Sequence, residues 1–292
     1  MSLNLTYRTY AAFRTAARRS GFTQLGAGKS LADWIRNQMG HYLYRVTGRG
    51  RRVPAMVHGF RMYLPDHPPL HLLLDQYENA TTHLIESLLR PGMTFVDVGA
   101  HAGYFTLLAA GLVGASGKVY AFEPAPQNFA LLKRNVEVNG FQNVVMFQKA
   151  VADRVGKIEL FLSRCESGWH SIYRGVKGAG RPVDIEVTTL DETLAREGWP
   201  SVDLLKIDAE GAEPAVLRGL QVLLRRSPSV CVIMEINPST LQAAGVQPET
   251  LLAELENLGF SARALENLNF VATRNLDGPL RAADSSSQHV NS

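Results

Sequence analysis

The stretch FVDVGAHAG, residues 95–103, decides the fold. It begins as a short apolar run and ends in an acid and two glycines, Asp97, Gly99 and Gly103. Residues 104–112, which follow, have the apolar content of a buried helix. A buried strand, a glycine-containing turn and a helix in this order predict the first strand–helix unit of a parallel sheet.

The same alternation continues towards the carboxyl terminus. Further core strands are predicted at 118–123, 144–148, 202–208 and 229–235, and helices at 127–139, 214–224 and 248–258. Strands with half-exposed alternation are predicted at 157–162 and 184–188, and a terminal pair at 260–264 and 269–273. This order predicts an α/β fold, with a mainly parallel sheet covered on both faces and an antiparallel edge.

The amino-terminal side differs in charge. Residues 1–52 hold ten basic side chains against one acid, which leaves 20 basic and 26 acidic ones in the remainder, for a net charge of +3. Apolar residues at helical spacing predict amphipathic helices there, as an extension of the sheet domain. Such an arm suits peripheral contact with an anionic membrane, a lid over the substrate, a mitochondrial transit segment, or a packing or dimerisation element.

Three units are predicted along the chain. The basic helical arm and a short hairpin around His58-Gly59 occupy residues 1–65, and prolines 65, 68 and 69 mark the break that follows. The main domain covers residues 70–281. The polar, serine-rich tail at 282–292 is expected to be disordered.

Composition narrows the class of protein. Two cysteines in 292 residues exclude a disulfide framework and a cysteine-rich zinc module, and they favour a reducing compartment. No apolar run reaches the roughly 18 residues that a spanning helix needs. We therefore expect a cytoplasmic protein without a global basic surface for nucleic acid, and with peripheral membrane contact and homo-oligomerisation left open.

The first turn predicts which ligand the domain takes. Its glycines are spaced neither as the dinucleotide fingerprint nor as a phosphate loop followed by lysine and serine or threonine. Glu123 ends the second strand, 24 positions after Gly99, where an acid can accept both hydroxyls of a ribose. Together with a helix N-terminus that suits an anion, these residues favour a nucleoside ligand with a carboxylate tail, such as S-adenosylmethionine.

Several segments together carry a family resemblance. They are residues 95–106, YAFEP at 120–124 with Asn128 and Asn135, LLKIDAEGAE at 204–213, and MEINP at 234–238. These segments resemble the FkbM family of class I S-adenosylmethionine-dependent methyltransferases over about residues 77–273. The resemblance implies a Rossmann-like sheet and O-methylation of sugars, glycans, glycolipids or natural products. His101 stands where asparagine is the commoner family choice, and either side chain can donate a hydrogen bond.

The pattern and the resemblance together predict a set of cofactor-binding residues at the carboxyl ends of the first strands. They are Glu78, Asp97, Gly99, Ala100, His101, Gly103, Glu123, Pro124, Asn128, Ala150 and Asp208. Glu78 belongs to a Tyr-Glu pair that, in the family, helps to cover the cofactor. Interaction with the dipole of the following helix is the alternative for Glu78.

Three residues are predicted to act on the acceptor: Asp208, Glu210 and His170. If the strand stays extended, Asp208 and Glu210 share one side, where they can bind the acceptor hydroxyl or the methionine ammonium, and one of them can act as base. His170 is a second candidate base, with simple solvation as the alternative. Glu235 can converge with the two acids, but we predict no metal; Lys206 pairing with Glu235, and Glu210 capping the next helix, are the structural alternatives.

Two rival functions remain open from the sequence. A nicotinamide-dependent oxidoreductase shares the fold class but needs the third glycine that this turn lacks. A non-catalytic adenosyl-binding or scaffold module would make the acids near Asp208 incidental.

Overall fold

A computed structural model describes residues 53–65, 72, 77–163, 170–173, 179–266 and 268–274. The predicted arm at 1–52 and the predicted tail at 282–292 lie outside these ranges. The strands are β1 (Ala55–Val57), β2 (Phe60–Met62), β3 (Thr94–Val98), β4 (Lys118–Phe122), β5 (Val144–Phe147), β6 (Ala150–Val151), β7 (Gly156–Ser163), β8 (Ala179–Thr188), β9 (Leu204–Ile207), β10 (Cys231–Glu235), β11 (Ser261–Glu266) and β12 (Asn269–Thr273). The helices are α1 (Asn79–Leu88), α2 (Tyr104–Val113), α3 (Pro126–Val138), α4 (Leu190–Arg196), α5 (Glu213–Arg218), α6 (Gln221–Arg226), α7 (Pro238–Ala243) and α8 (Pro248–Asn257).

Seven strands form the central sheet, in the order β11-β12-β10-β9-β3-β4-β5. Strands β3, β4, β5, β9 and β10 are parallel, whereas β12 is antiparallel to β10 and β11. The predicted fold class is confirmed, with the antiparallel strand one position inside the edge. Strand order reverses between β3 and β9, and ligands of open α/β sheets bind outside the carboxyl ends of the strands at such a point.

Strand β3 of the central sheet is buried on both faces. Phe95 packs in one apolar cluster, whereas Val96 and Val98 pack in another on the opposite face. Side chains of a strand alternate between faces, so β3 needs helices on each side of the sheet. This burial fixes the position, relative to the sheet, of the turn that follows Val98.

The single helix predicted at 214–224 is wrong, since the segment forms α5 and α6. At Gly219, between them, a Cβ atom would overlap the carbonyl oxygen of Ala152. The Asp191 carboxylate accepts hydrogen bonds from two N–H groups in the first turn of α6, at 2.8 and 2.7 Å. Because this cap satisfies the N-terminal N–H groups of α6, α6 begins as a separate helix.

Helices α4 and α7 and the two-residue strand β6 were not predicted. Both helices have fewer than eight residues, which is too short for a clear apolar period. The predicted half-exposed strands correspond to β7 and β8, which pair antiparallel and form a separate sheet with β6.

The predicted hairpin around His58-Gly59 is present as β1 and β2. The predicted division near residue 65 separates this hairpin from the main domain, but in the structure Val57, Met62 and Leu64 are buried in the same cluster as Phe95. The hairpin therefore contributes to the core of the sheet domain. None of the described helices combines the length and the apolar character needed to cross a bilayer.

Candidate active site

The glycine turn after β3 is shaped by the neighbouring strand. Gly99, His101 and Gly103 all have positive φ, at 84°, 51° and 94°. A Cβ atom on Gly99 would overlap the backbone carbonyl of Asp208, because the turn packs directly on the end of β9. The absence of a side chain at Gly99 thus allows close contact between two strand ends. Asparagine and histidine are among the side chains that tolerate this conformation best, which explains His101.

Glu123 holds the same turn from the other side. Its carboxylate accepts hydrogen bonds from the N–H groups of His101 and Ala125, both at 2.8 Å, and from the Asn128 side chain. Burial raises the pKa of Glu123 to about 7, although these hydrogen bonds act in the opposite direction. The structure therefore brings Glu123, His101 and Asn128 together, as predicted, and gives Glu123 a second task in shaping the turn.

The remaining predicted cofactor residues on this side lie close by. The Ala100 N–H donates to the Phe122 carbonyl oxygen at 2.9 Å, which ties the turn to the end of β4. Pro124 is half-buried between Glu123 and α3. Ala150 begins β6 and is buried in an apolar cluster with Ala125.

Asp97 is a buried acceptor near the end of β3. Its side chain is 1% exposed, and Oδ2 accepts a hydrogen bond from the Thr106 hydroxyl at 2.6 Å. Oδ1 is buried and has no partner among the described residues. Burial raises the pKa of Asp97, whereas the nearby Lys206 ammonium lowers it.

Lys206 and Asp208 form a buried ion pair at the end of β9. Lys206 Nζ lies 2.9 Å from Asp208 Oδ2 and 4.9 Å from the Phe105 ring centroid. Burial opposes the charge of Lys206, but Asp208, Glu78 and Asp97 outweigh it and raise the pKa of the ammonium. Burial also opposes the charge of Asp208, and Lys206 outweighs it, so the pKa of Asp208 falls below its usual range. Asp208 is therefore ionised, and its side chain is 20% exposed against 2% for Lys206.

Glu235, at the end of β10, adds a proton to this cluster. The charge of Asp208 is the main cause that raises the pKa of Glu235, and burial adds to it. The two carboxyl groups are hydrogen-bonded, so a protonated Glu235 donates to ionised Asp208. Glu235 thus meets Asp208, as the sequence allowed, whereas the alternative pairing of Lys206 with Glu235 is replaced by the bond to Asp208.

The expectation that the chain stays extended through Glu210 is wrong. Glu210 has φ 48°, so the backbone turns directly after β9. Glu210 does not cap the next helix, since α5 has no side-chain cap; the Glu213 carboxylate accepts from the Ala209 N–H at 2.9 Å and from the Gly211 N–H at 3.0 Å, in the turn before α5. Glu210 still lies near enough for its charge to raise the pKa of Glu235.

Glu213 gives a testable dependence of stability on pH. Burial raises its pKa to about 7 in the folded protein, against 4.5 ordinarily. The folded state therefore binds more protons than the unfolded state between these values, so stability falls as pH rises through this window. We expect Glu213→Gln to remove a slope of roughly 1 kcal/mol per pH unit in urea unfolding between pH 5 and 7. The surface variant Glu192→Gln is the control, and a wild-type slope in Glu213→Gln would contradict the assignment.

His170 is placed differently from a general base. Its Nδ1 accepts a hydrogen bond from the Ser163 N–H at 3.0 Å, so the neutral ring carries its proton on Nε2. Burial lowers the pKa of His170 and keeps the ring neutral. The adjacent Ser171 hydroxyl donates to the Glu210 carbonyl oxygen at 2.7 Å. The segment 170–171 therefore supports the turn at Glu210 through Ser171. Because His170 Nδ1 is already used, this ring is poorly placed to remove a proton from an acceptor.

Glu78 reaches the cluster from the residue before α1. It stands at the N-cap position of α1 without a capping hydrogen bond, so interaction with the helix dipole stays an alternative for it. Its Oε2 accepts from Asn269 Nδ2 at 3.1 Å, and its charge helps to raise the pKa of Lys206. Asn269, 5% exposed, begins β12 directly opposite Glu235.

Sequence reasoning did not assign a function to Lys206, Glu213 or Asn269. Lys206 and Glu213 stand within the segment 204–213, and a charged residue at an inward position of a buried strand is a usable signal. Asn269 had no such signal, because its partner Glu78 is 191 positions away. No three His, Cys, Asp or Glu side chains of the described residues are arranged to hold a metal ion.

These side chains fit S-adenosylmethionine. Asp97 Oδ1 is a buried acceptor without a partner among the described residues, and the methionine ammonium is the kind of donor that it requires. The Glu123 carboxylate accepts two backbone N–H groups and the Asn128 side chain, which leaves one of its roughly four acceptor sites for a ribose hydroxyl. Three acidic side chains, Asp208, Glu78 and Asp97, lie around the Lys206 ammonium, which favours a cationic ligand.

Comparison with known proteins agrees with this geometry. The methyltransferase FkbM domain matches residues 97–262, more than half of the chain. The 31-O-demethyl-FK506 methyltransferase FkbM of Streptomyces tacrolimicus is 32% identical over 161 residues, which are 46% of this chain and 61% of that protein. The 2-O-methyltransferase NoeI of Sinorhizobium fredii is 25% identical over 151 residues, 47% of this chain and 60% of that protein.

The chain thus spans about three fifths of the length of both relatives. A solved structure of a putative O-methyltransferase from Klebsiella pneumoniae superposes with a TM-score of 0.47 at 16% identity, covering 84% of this chain and 99% of that one. Fold assignment depends on the strand order described above. The matched domain covers more than half of the chain and shows that the chain belongs to the FkbM methyltransferase family.

Proposed function

We propose that the protein transfers a methyl group to a hydroxyl oxygen of a sugar, glycan, glycolipid or natural-product acceptor. The observation that carries the proposal is Asp208, an ionised and partly exposed carboxylate at the carboxyl end of β9. The relatives support oxygen as the accepting atom, since one is named a 31-O-demethyl-FK506 methyltransferase and another a 2-O-methyltransferase. The family match to a methyltransferase domain disfavours the oxidoreductase alternative.

The proposed chemistry needs alignment and one proton acceptor. S-adenosylmethionine supplies an electrophilic methyl carbon. With cofactor and acceptor bound, the methyl group would pass from the sulfonium sulfur to the acceptor oxygen, and Asp208 would receive the hydroxyl proton. Lys206 orients Asp208 and keeps it ionised.

The neighbouring groups are less suited to receive that proton. Glu235 already holds one, because Asp208 raises its pKa. Asp97 is almost fully buried, and His170 uses Nδ1 to accept a backbone N–H. Asp208 is thus the candidate base among Asp208, Glu210 and His170, while Glu210 remains a proposed acceptor contact.

The basic segment 1–52 belongs to this proposal through its sequence. Arginine-rich amphipathic helices bind anionic membrane surfaces, where a lipid-linked acceptor would be available. We propose that this segment helps to deliver the acceptor, since the residues that we assign to the cofactor lie in the sheet domain.

Cofactor binding gives the first test. We expect Asp97→Asn to weaken the affinity for S-adenosylmethionine by roughly 10- to 100-fold in titration calorimetry, because a charge-assisted hydrogen bond is lost. Asp203→Asn is the matched control. Asp203 precedes β9 and accepts the Thr94 N–H at 2.8 Å, at the opposite end of the same sheet. Equal affinities of Asp97→Asn and wild type would contradict the assignment of Asp97.

Methyl transfer gives the second test. Purified protein is incubated with labelled S-adenosylmethionine and a panel of glycosides, alcohols and phenols, and label in the acceptor is counted. Transfer to hydroxyl oxygen is expected. Cofactor binding without transfer to any hydroxyl would favour the non-catalytic binding module.

A further inference from the structure

The side-chain amide of Asn269 is buried, and its oxygen has no hydrogen-bond partner among the described residues. Its Nδ2 donates to Glu78 Oε2 at 3.1 Å, whereas Oδ1 is buried without a partner among the described residues. The residue is only 5% exposed. A buried amide oxygen left without a donor is costly, so a native structure usually provides one.

The orientation of this amide is fixed by chemistry. A carboxylate only accepts hydrogen bonds, so Glu78 selects the NH₂ group of Asn269 and directs the oxygen elsewhere. Glu78 itself is held at φ 41°, an uncommon conformation for a residue with a side chain. The free group is therefore an acceptor, and its missing partner must be a donor.

The position of Asn269 places that partner beside the proposed reaction centre. Asn269 is directly opposite Glu235 in the β10–β12 pair, and opposed residues project from the same face. Glu235 in turn is hydrogen-bonded to Asp208. Two strand spacings, roughly 10 Å, thus separate the backbones at Asp208 and Asn269, with both side chains at the carboxyl end of the parallel strands.

We infer that Asn269, oriented by Glu78, forms a subsite that accepts a hydrogen bond from a second hydroxyl of the acceptor, next to the hydroxyl that is methylated. The inference rests on the proposed function and deepens it. The subsite requires a donor, so it discriminates against an acceptor whose neighbouring hydroxyl is absent or already methylated. A buried water that satisfies Oδ1 independently of the acceptor is the competing explanation.

The experiment compares matched acceptors. Full-length wild type and Asn269→Leu, which keeps the size but removes the amide, are assayed with methyl glycosides and with their monodeoxy and mono-O-methyl analogues. For wild type we expect the intact glycoside to exceed the analogue changed at the neighbouring hydroxyl by roughly 10- to 100-fold in kcat/KM. In Asn269→Leu this ratio should fall to within about threefold.

Controls separate this effect from folding. Asn139→Leu removes side-chain amide bonds to the Arg61 backbone, away from the site, and should keep the wild-type ratio. Affinity for S-adenosylmethionine should be the same in all variants, and Asn269→Ala takes the place of Asn269→Leu if the latter does not fold.

Three outcomes decide against the inference. A wild-type ratio in the Asn269 variant overturns the subsite, and so does equal turnover of simple monohydroxy alcohols and glycosides by wild type. Cofactor binding without transfer to any hydroxyl overturns the proposed function itself and the subsite with it. A ratio that falls only in the Asn269 variant supports the subsite and excludes the structural water.

Discussion

Replacing Lys206 by methionine is expected to lower the free energy of unfolding by about 3 to 5 kcal/mol at neutral pH, measured by urea denaturation. The variant keeps a side chain of similar length but leaves the acids around it, Asp208, Glu78 and Asp97, buried without their cation. Desolvated carboxylates without a partner are costly, so the loss exceeds what any surface ion pair would cause.

The pH dependence of this loss has a defined sign. In wild type the pKa of Asp208 is lowered in the folded state, so its contribution is present above the unfolded pKa and is lost as pH falls. Without Lys206, burial raises that pKa, and the folded variant takes up protons that wild type does not. The difference in stability between Lys206→Met and wild type should therefore narrow from pH 8 to pH 5.

A surface pair provides the control. Arg196 and Glu192 form an exposed ion pair one helical turn apart, at 2.7 Å, and Arg196→Met should change the free energy of unfolding by less than about 1 kcal/mol. Equal losses for the Lys206 and Arg196 variants, or a gap that widens towards pH 5, would contradict the role assigned to Lys206.

Asp208→Asn is expected to reduce kcat for methyl transfer by roughly 10²- to 10⁴-fold, the usual contribution of a positioned acid or base. The amide keeps the shape of the side chain and cannot receive the acceptor proton. Affinity for S-adenosylmethionine should stay within a few-fold of wild type, because Asp97 and Glu123 are unchanged. Single-turnover assays with saturating cofactor separate the two quantities.

Glu235→Gln is the matched variant for Asp208→Asn. Glu235 is already protonated, so an amide reproduces its donor to Asp208, and kcat should fall by less than about 10-fold. If Glu235→Gln reduced kcat as strongly as Asp208→Asn, the proton would have to be assigned to Glu235 or to the pair as a unit.

Much of the fold could be predicted from local pattern. Residues 95–112 predict a strand, a turn and a helix, and the structure has each of them, because a strand buried on both faces is mainly apolar. Family-specific segments then predict where Asp97, Glu123 and Asp208 stand, at the carboxyl ends of β3, β4 and β9.

The misses arise from specific side-chain and backbone contacts that a periodic pattern does not show. The conformation of Glu210 is set by hydrogen bonds from the turn to Glu213 and by the approach of Gly211 to the Thr240 carbonyl. The break between α5 and α6 depends on Asp191. Periodicity shows which face of an element a residue occupies. It does not show which residue it contacts there, so the contacts with Glu213, Thr240 and Asp191 could not be predicted.

The hairpin β1–β2 has a consequence for how the chain can be divided. The Asn135 side chain bonds the Tyr63 backbone at 2.6 and 3.0 Å, and the same amide donates to the Ala102 carbonyl oxygen at 2.8 Å. The family domain begins only at residue 97. A fragment that starts there, or at residue 70, would expose an apolar face of α3 and leave Asn135 without its partners on the Tyr63 backbone, so we expect the smallest unit that folds to begin before the hairpin.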